Sequence, residues 1–230
     1  MKLSVIIPTL NEAGQIGALV GYLKKILPDE AFEIIVSDGG SNDGTIREAN
    51  ASGALVTRSE SRGRASQMNH GARFAKGRVL YFLHADSKPP ADLYKQIAGV
   101  IQSEVEAGCF RLKFDDSHFL LRLYSWFTRF DIDLFRFGDQ SLFIKKNVFE
   151  RINGFDEELQ IMEDQEIVRR IRKVTDNFVI MRDTVTTSAR KYRSNGIARL
   201  QLIFTLIVIL YYFGASQEML VHFYKSVLRS

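Results

Sequence analysis

Residues 3–27 read LSVIIPTLNEAGQIGALVGYLKKIL. Leu3–Ile7 is a short apolar run closed by Pro8, the pattern of a buried strand. From Glu12 to Leu27 the apolar side chains fall at helical spacing, with Ile16, Leu19, Val20, Leu23 and Ile26–Leu27 sharing one face. The turn between strand and helix lacks the G-x-G-x-x-G of a dinucleotide site, and no G-x-x-x-x-G-K-[ST] occurs anywhere in the chain. Working outward, the same alternation repeats. Phe32–Ser37 reads as a strand, Thr45–Ala51 as a short helix and Ala54–Thr57 as a third strand. Ala65–Ala75 reads as a helix with Met68, Ala72 and Ala75 inward, and Val79–Leu83 as a fourth, strongly apolar strand. Strand and helix at this spacing predict an α/β fold, a Rossmann-like and mostly parallel sheet covered by helices on both faces.

The second half is less regular. Ala107–Phe114, Ser141–Ile144 and Phe178–Met181 read as strands, and Val148–Ile152 and Glu163–Lys173 as helices. His118–Phe137 is rich in aromatic side chains. Two C-terminal helices follow. No repeat and no linker interrupts the chain, so residues 1–230 are read as one domain. Residues 1–90, 91–190 and 191–230 are its three successive parts, the last being the C-terminal apolar helices. Leu202–Phe213, LIFTLIVILYYF, is an uncharged run of twelve residues. A span needs about 20. The run is therefore read as a buried helix or one that packs on a second copy of the chain. Peripheral membrane contact is the competing reading, because Arg190, Lys191, Arg193, Arg199, Lys225 and Arg229 flank the run with charges suited to anionic headgroups.

Composition removes several function classes. Hydrophobic residues at 46% and charged residues at 25% are ordinary for a globular chain. Thirty-one basic against twenty-seven acidic side chains leave only +4, too mild for a nucleic-acid binder. A single cysteine, Cys109, excludes a disulfide framework and a Cys-rich zinc site and fits a reducing compartment. Met1-Lys2-Leu3 runs directly into the first strand with no export signal, so the expected location is cytoplasmic, at the inner face of a membrane if the C-terminal helix docks there.

In a parallel sheet, ligands sit at the carboxyl ends of the strands. Those ends read PTLNE, SDGGSNDGT, RSESRGRASQMNHG and HADS, all polar, small or charged. A base edge needs a hydrogen-bonding side chain at fixed depth, which suits Asp38, and ribose hydroxyls suit Glu12. Asp43, followed by Gly44 and the helix from Thr45, is read as a turn and cap residue. Arg62, Arg64 and Arg73 flank the third loop. A guanidinium grips a diphosphate in bidentate fashion, and Arg64 at the loop end is placed for that, whereas Arg73 belongs to a solvated helix face. Asp86 at the end of the fourth strand is read as a functional residue. Glu163-Asp164 opens an apolar-periodic helix, where carboxylates are also favoured by the helix N-terminus.

Together IIPTLNE at 6–12, VSDGGSNDGT at 36–45, GRASQMNHGARFAKG at 63–77, FLHADS at 82–87, GDQ at 138–140 and MEDQE at 162–166 resemble the inverting glycosyltransferases of family 2. The resemblance covers about three quarters of the chain and implies a GT-A type nucleotide-diphospho-sugar transferase fold. It implies transfer of a sugar from a UDP-, GDP- or dTDP-sugar donor to an acceptor hydroxyl, with inversion. Pro8, Thr9, Glu12 and Asp38 would line the nucleoside pocket, and Asp86 would hold Mn²⁺ or Mg²⁺ against the diphosphate. Asp164 would be the general base beside Glu163 as an acceptor contact. Asp139 and Gln140 would face the acceptor, and Arg190 and Lys191 would close over the diphosphate. His84 departs from the family's Asp-x-Asp. Imidazole tolerates Mn²⁺ better than Mg²⁺, but a nucleotide or ribose contact, a metal contact and a plain core histidine all stay open for it. A narrower similarity, carried by RGRASQMNHGA, FLHAD, GDQ, MED and TSARKY, is to a small bacterial subgroup named for arsenosugar biosynthesis. Two other readings compete: a nucleotidyltransferase on a similar fold, against which PTLNEAG lacks a basic, Gly-rich triphosphate loop, and a degenerate, non-catalytic nucleotide-sugar-binding module, which His84 alone favours.

Overall fold

The computed structural model describes residues 1–28, 31–61 and 63–227. Arg62 and Arg229, weighed above, lie outside the described residues. The strands are β1 (Leu3–Thr9), β2 (Phe32–Asp38), β3 (Leu55–Arg58), β4 (Val79–Phe82), β5 (Ser87–Lys88), β6 (Ala107–Phe114), β7 (Leu142–Lys145) and β8 (Phe178–Thr187). They form one sheet in the order β3-β2-β1-β4-β7-β6-β8-β5. The first four are parallel, with Leu3 opposite Phe32 and Val79, and Ile35 opposite Leu55. The predicted mostly parallel sheet is found, with two reversed strands, β7 and β5, in its second half. β7 runs antiparallel to both β4 and β6, and β5 antiparallel to β8, while β6 and β8 are parallel. The connection from β6 to β7 passes through the helix Phe119–Phe127 and two short 3-10 turns, Asp133–Phe135 and Gly138–Gln140, and brings β7 back antiparallel to β6.

Helices cover both faces, as the alternation along β1 requires. Leu3, Val5 and Ile7 pack on one side against α1 (Ile16–Ile26) and α4 (Leu93–Gln102) through Leu19, Leu23, Leu93 and Ile97. Ile6 points the other way, into α3 (Arg64–Phe74), α6 (Lys146–Arg151) and α7 (Glu163–Val174), through Met68, Val148 and Ile171. The short α2 (Thr45–Ala51) lies between β2 and β3 in the chain. α5 (Phe119–Phe127), α8 (Arg190–Asn195) and α9 (Ile197–Tyr212) build a third cluster around Leu121, Tyr192 and Leu200. α10 (Gln217–Val227) closes on α9 through Leu220.

Four further differences from expectation have local causes. α1 starts at Ile16 instead of Glu12, because Asn11 takes a left-handed backbone (φ 56°) and residues 11–14 bond to the next loop. α4 was not anticipated. β8 continues past Met181 to Thr187 because the polar residues Arg182 and Asp183 face solvent while Val185 stays in the core. Three helices, not two, end the described chain, since Gly196 (φ 84°) separates α8 from α9. The apolar run Leu202–Phe213 falls on α9 and its cap. It is half-used: Ile203 and Ile207 are buried, while Leu202, Leu206, Ile209 and Phe213 form an exposed stripe. Among the described residues no helix is long and apolar enough to cross a membrane.

Candidate active site

The carboxyl ends of β1, β2 and β4 meet at one edge. Pro8 lies past the end of the β1–β4 ladder, where Ile6 O accepts from Leu83 N, so its missing N–H costs no sheet hydrogen bond. The loops after β1 and β2 are knitted together. Asn11 N donates to Ser41 Oγ (2.9 Å), Glu12 N to Thr45 Oγ1 (2.8 Å) and Ala13 N to Asp43 Oδ2 (3.1 Å). Asp43 also accepts from Thr45 N (2.9 Å), which is the turn and cap duty read for it. Asp38 is wholly buried, and its carboxylate accepts from Gly40 N (2.8 Å), Ser41 N (2.9 Å) and Ser41 Oγ (2.5 Å). It thus shapes the loop expected to hold the nucleotide. Buried Thr9 sits beside it, with Oγ1 3.4 Å from Asp38 Oδ1.

Sequence reasoning missed Gln67. It is buried on α3 and donates from Nε2 to Thr9 O (3.0 Å), and a Cβ on Gly39 would overlap it. That glycine therefore serves the close approach of a side chain. The available signal was a glutamine beside Met68 on the inward arc of the helix.

After β4 the chain turns over His84–Ser87, with Ser87 N donating to His84 O (3.1 Å). The turn presents Asp86, whose carbonyl accepts from Ser188 N (3.1 Å), so the end of β8 fixes its backbone. His84 Nδ1 lies 3.0 Å from Asp139 Oδ1. One ligand atom from each of His84, Asp86 and Asp139 falls within 4.8 Å of the others, a group able to hold a metal ion. Asp139, expected at the acceptor, lines the same cavity as Asp164 and also belongs to this candidate group. Burial pushes the His84 imidazole down, but the Asp139 hydrogen bond and charge outweigh it and the net shift is upward. Asp139 moves down, because His84, Arg64 and Lys191 together overcome the effect of its burial.

Gln140 is corrected more fully. It is 1% exposed, and its amide is spent on Arg136 Nη1 (3.0 Å), Cys109 Sγ (3.4 Å) and Phe135 O (2.5 Å). Its neighbour Arg136 is itself fully buried and donates to Thr128 O (3.0 Å) and Phe130 O. An arginine inside an aromatic-rich segment carried no sequence signal for this role. The pair forms the floor beneath Gly138-Asp139.

α7 begins after Met162, which is left-handed (φ 73°). Of the five positive-φ residues other than glycine among the described residues, Asn11, Ser141 and Met162 each adjoin a segment of this site. Strain of this kind is costly for a side chain with a Cβ. Asp164 lines the cavity, whereas Glu163, expected as an acceptor contact, is 1% exposed and lies 3.0 Å from Arg64 Nε. Burial pushes the Glu163 carboxyl up to about 7 even against the Arg64 guanidinium, with Asp164 adding to the rise. Arg190 approaches Glu12 at 3.6 Å. Burial and the nearby Asp86 raise the Glu12 carboxyl against the pull of Arg190 and Lys191. Arg64, Asp86, Asp139, Asp164 and Lys191 line one cavity of about 300 Å³.

Residues 4–156, about two thirds of the chain, match the family model described as glycosyl transferase family 2. A PGL/p-HBAD biosynthesis glycosyltransferase of Mycobacterium bovis is 28% identical over 172 residues, covering 70% of this chain and 66% of that protein. The match thus spans just under two thirds of that relative's length. Among solved structures, S. aureus TarS 1–349 in complex with UDP-GlcNAc superposes with a TM-score of 0.67 at 18% identity, covering 91% of this chain and 67% of that one. The mannosyltransferase PcManGT from Pyrobaculum calidifontis, in complex with GDP-Man and Mn²⁺, gives 0.69 at 20% identity, covering 90% and 62%. The fold is that of the GT-A glycosyltransferases. With the family model matched across the four parallel strands and on to Asp156, the chain belongs to glycosyl transferase family 2.

Proposed function

We propose that the chain transfers a sugar from a nucleoside-diphosphate sugar to an acceptor hydroxyl, with inversion at the anomeric carbon. The convergence of Arg64, Asp86, Asp139, Asp164 and Lys191 on one cavity carries this reading. In such a transfer the acceptor oxygen bonds to the anomeric carbon as the bond from that carbon to the diphosphate oxygen breaks on the opposite face. Asp164 takes the proton of the acceptor hydroxyl, and the electron pair of the broken bond leaves with the diphosphate. Asp86 would hold a divalent ion, Mn²⁺ or Mg²⁺, which when bound neutralises charge on the departing diphosphate. His84 and Asp139 stand within reach of the same ion.

The remaining residues bind and position. Pro8, Thr9 and Glu12 frame the nucleoside, and Asp38 acts by holding the Gly39–Ser41 loop in shape. Arg64, Arg190 and Lys191 bring positive charge to the diphosphate. Glu163 orients the Arg64 guanidinium. Gln140 supports Asp139 from below. The donor class is a UDP-, GDP- or dTDP-sugar, in keeping with the UDP-GlcNAc and GDP-Man named for the structural neighbours. The exposed stripe of α9 is the surface assigned to contact with a membrane or with a second copy. Sedimentation with anionic vesicles against gel filtration separates these two.

A thermal-shift panel of UDP, GDP, dTDP and CDP, each with and without Mn²⁺, tests the reading. A nucleotide at a hundred times its dissociation constant adds about 2.7 kcal/mol of stability. The expected result is a metal-dependent rise with one of them. No rise with any would overturn the transferase reading.

A further inference from the structure

We propose that His84, Asp86 and Asp139 form a three-ligand site of one nitrogen and two carboxylates, and that the imidazole makes this protein select a first-row transition ion such as Mn²⁺ over Mg²⁺. The inference rests on the metal-assisted transfer proposed above and adds to it the ligand set and the choice of ion. The three ligand atoms all lie within 4.8 Å of one another. His84 Nδ1 and Asp139 Oδ1 are 3.0 Å apart. That contact is a hydrogen bond, and a cation held by both side chains would take the place of its proton.

Each ligand is held from behind. Asp86 lies in the His84–Ser87 turn, and its own carbonyl accepts from Ser188 N. Asp139 sits on a 3-10 turn floored by the buried Arg136 and Gln140. The His84 side chain is 11% exposed, and a Cβ on the facing Gly138 would press on its Cε1. A ring so confined has few other ways to turn. Two carboxylates and a neutral imidazole supply two negative charges to a divalent ion. Arg64 and Lys191 face Asp139 and temper this field.

The donor set decides the ion. Mg²⁺ demands oxygen ligands, sheds its waters reluctantly and usually takes only one or two carboxylates. Imidazole nitrogen favours the later divalent ions, and carboxylate accommodates Mn²⁺ as readily as Mg²⁺. A mixed set with three protein ligands therefore favours Mn²⁺ and its neighbours.

The test uses the full chain stripped of metal by chelation. Mn²⁺ binding is followed by electron paramagnetic resonance, with and without UDP or GDP, and pulsed spectra are read for coupling of bound Mn²⁺ to a ¹⁴N nucleus. Mg²⁺ affinity is measured by competition. The wild-type chain is expected to show ¹⁴N coupling. His84→Asp should abolish it and shift the Mn²⁺ to Mg²⁺ affinity ratio toward Mg²⁺ by about tenfold or more. Asp139→Asn should weaken Mn²⁺ by about tenfold or more, within the range seen when partners of a metal site are removed. Bound Mn²⁺ without ¹⁴N coupling, an unchanged ratio in His84→Asp, or unchanged affinity in Asp139→Asn would each overturn the three-ligand site while leaving metal dependence intact. No Mn²⁺ binding under any condition would overturn both. The wild-type spectrum needs no variant, so misfolding of a mutant does not blunt the test.

Discussion

Gly138 sits against Asp164 so closely that a Cβ on the glycine would overlap the carboxylate. The same atom would press on His84. One missing methyl group thus lets Asp164, the proposed base, and His84, a proposed cation ligand, share a wall. Gly138→Ala should leave the sheet intact but displace Asp164 or His84. A displacement near 1 Å costs about 10²-fold in rate, and that loss in kcat, with circular dichroism unchanged, is the expected result.

Asp164→Asn keeps the shape of the site and removes its proton acceptor. A general base contributes about 10²–10⁴-fold, so turnover should fall by that factor. Donor affinity, read by nucleotide-induced thermal shift, should stay at the wild-type value because the base acts on the acceptor alone. Wild-type turnover in this variant would remove Asp164 from the role.

Glu163 confers a pH dependence whose sign follows from its burial. In the unfolded chain it ionises near its ordinary 4.5, whereas in the fold its pKa is about 7. Between these values the unfolded state has given up a proton that the folded state keeps. Stability should therefore fall as pH rises through that window. Arg64, Asp164 and His84 face the group, and of these Arg64 opposes the trend most. His84, whose pKa is raised, adds stability below 6.5 that is lost as pH rises through its folded value. Urea titrations of Glu163→Gln should show a flatter profile from about pH 4.5 to 7 than wild type. An equally steep profile would place the titration elsewhere.

Arg136 holds Gln140, Cys109 and three main-chain carbonyls, those of Thr128, Phe130 and Ile132. Arg136→Ala strands these acceptors, at about 1–3 kcal/mol for each buried group left unpaired. Equilibrium denaturation should show a loss of at least this order. Because the floor under Asp139 goes with it, Mn²⁺ affinity should fall as well.

Residues 1–90 were legible because their signals are local. β1, α1 and α3 announce themselves through runs and helical spacing within a dozen residues, and β6 was read at its observed bounds, Ala107–Phe114. α4 had a comparable signal in Leu93, Ile97, Val100 and Ile101 that was passed over. The rest depends on partners distant in sequence. His84 meets Asp139 across 55 residues, and Arg64 meets Glu163 across 99 (163 less 64). No periodicity encodes such pairs. Asp38 is read as a ligand contact, and a carboxylate at a strand end can serve a ligand, its own loop or both; its bonds to Gly40 and Ser41, set by the fold, were not legible in the sequence. Gln140 misled for the complementary reason: a polar triplet reads as surface, yet a buried arginine can take a glutamine inward.

β5 is two residues long, and its partner is the far end of β8: Ser87 pairs with Thr187, and Lys88 with Thr186. Ser87 Oγ also donates to Thr187 Oγ1 at 3.0 Å. The residue just after Asp86 is thus paired with one made a hundred positions later. During synthesis the four parallel strands can pair early, but the edge that steadies Asp86 must wait until residue 187 has left the ribosome. Non-local strand pairing is slow because loop closure precedes its reward. A nascent chain halted after β4 would carry the nucleotide loops with an unanchored Asp86, so competence to bind a cation should come late in folding, well after the core around β1 has formed.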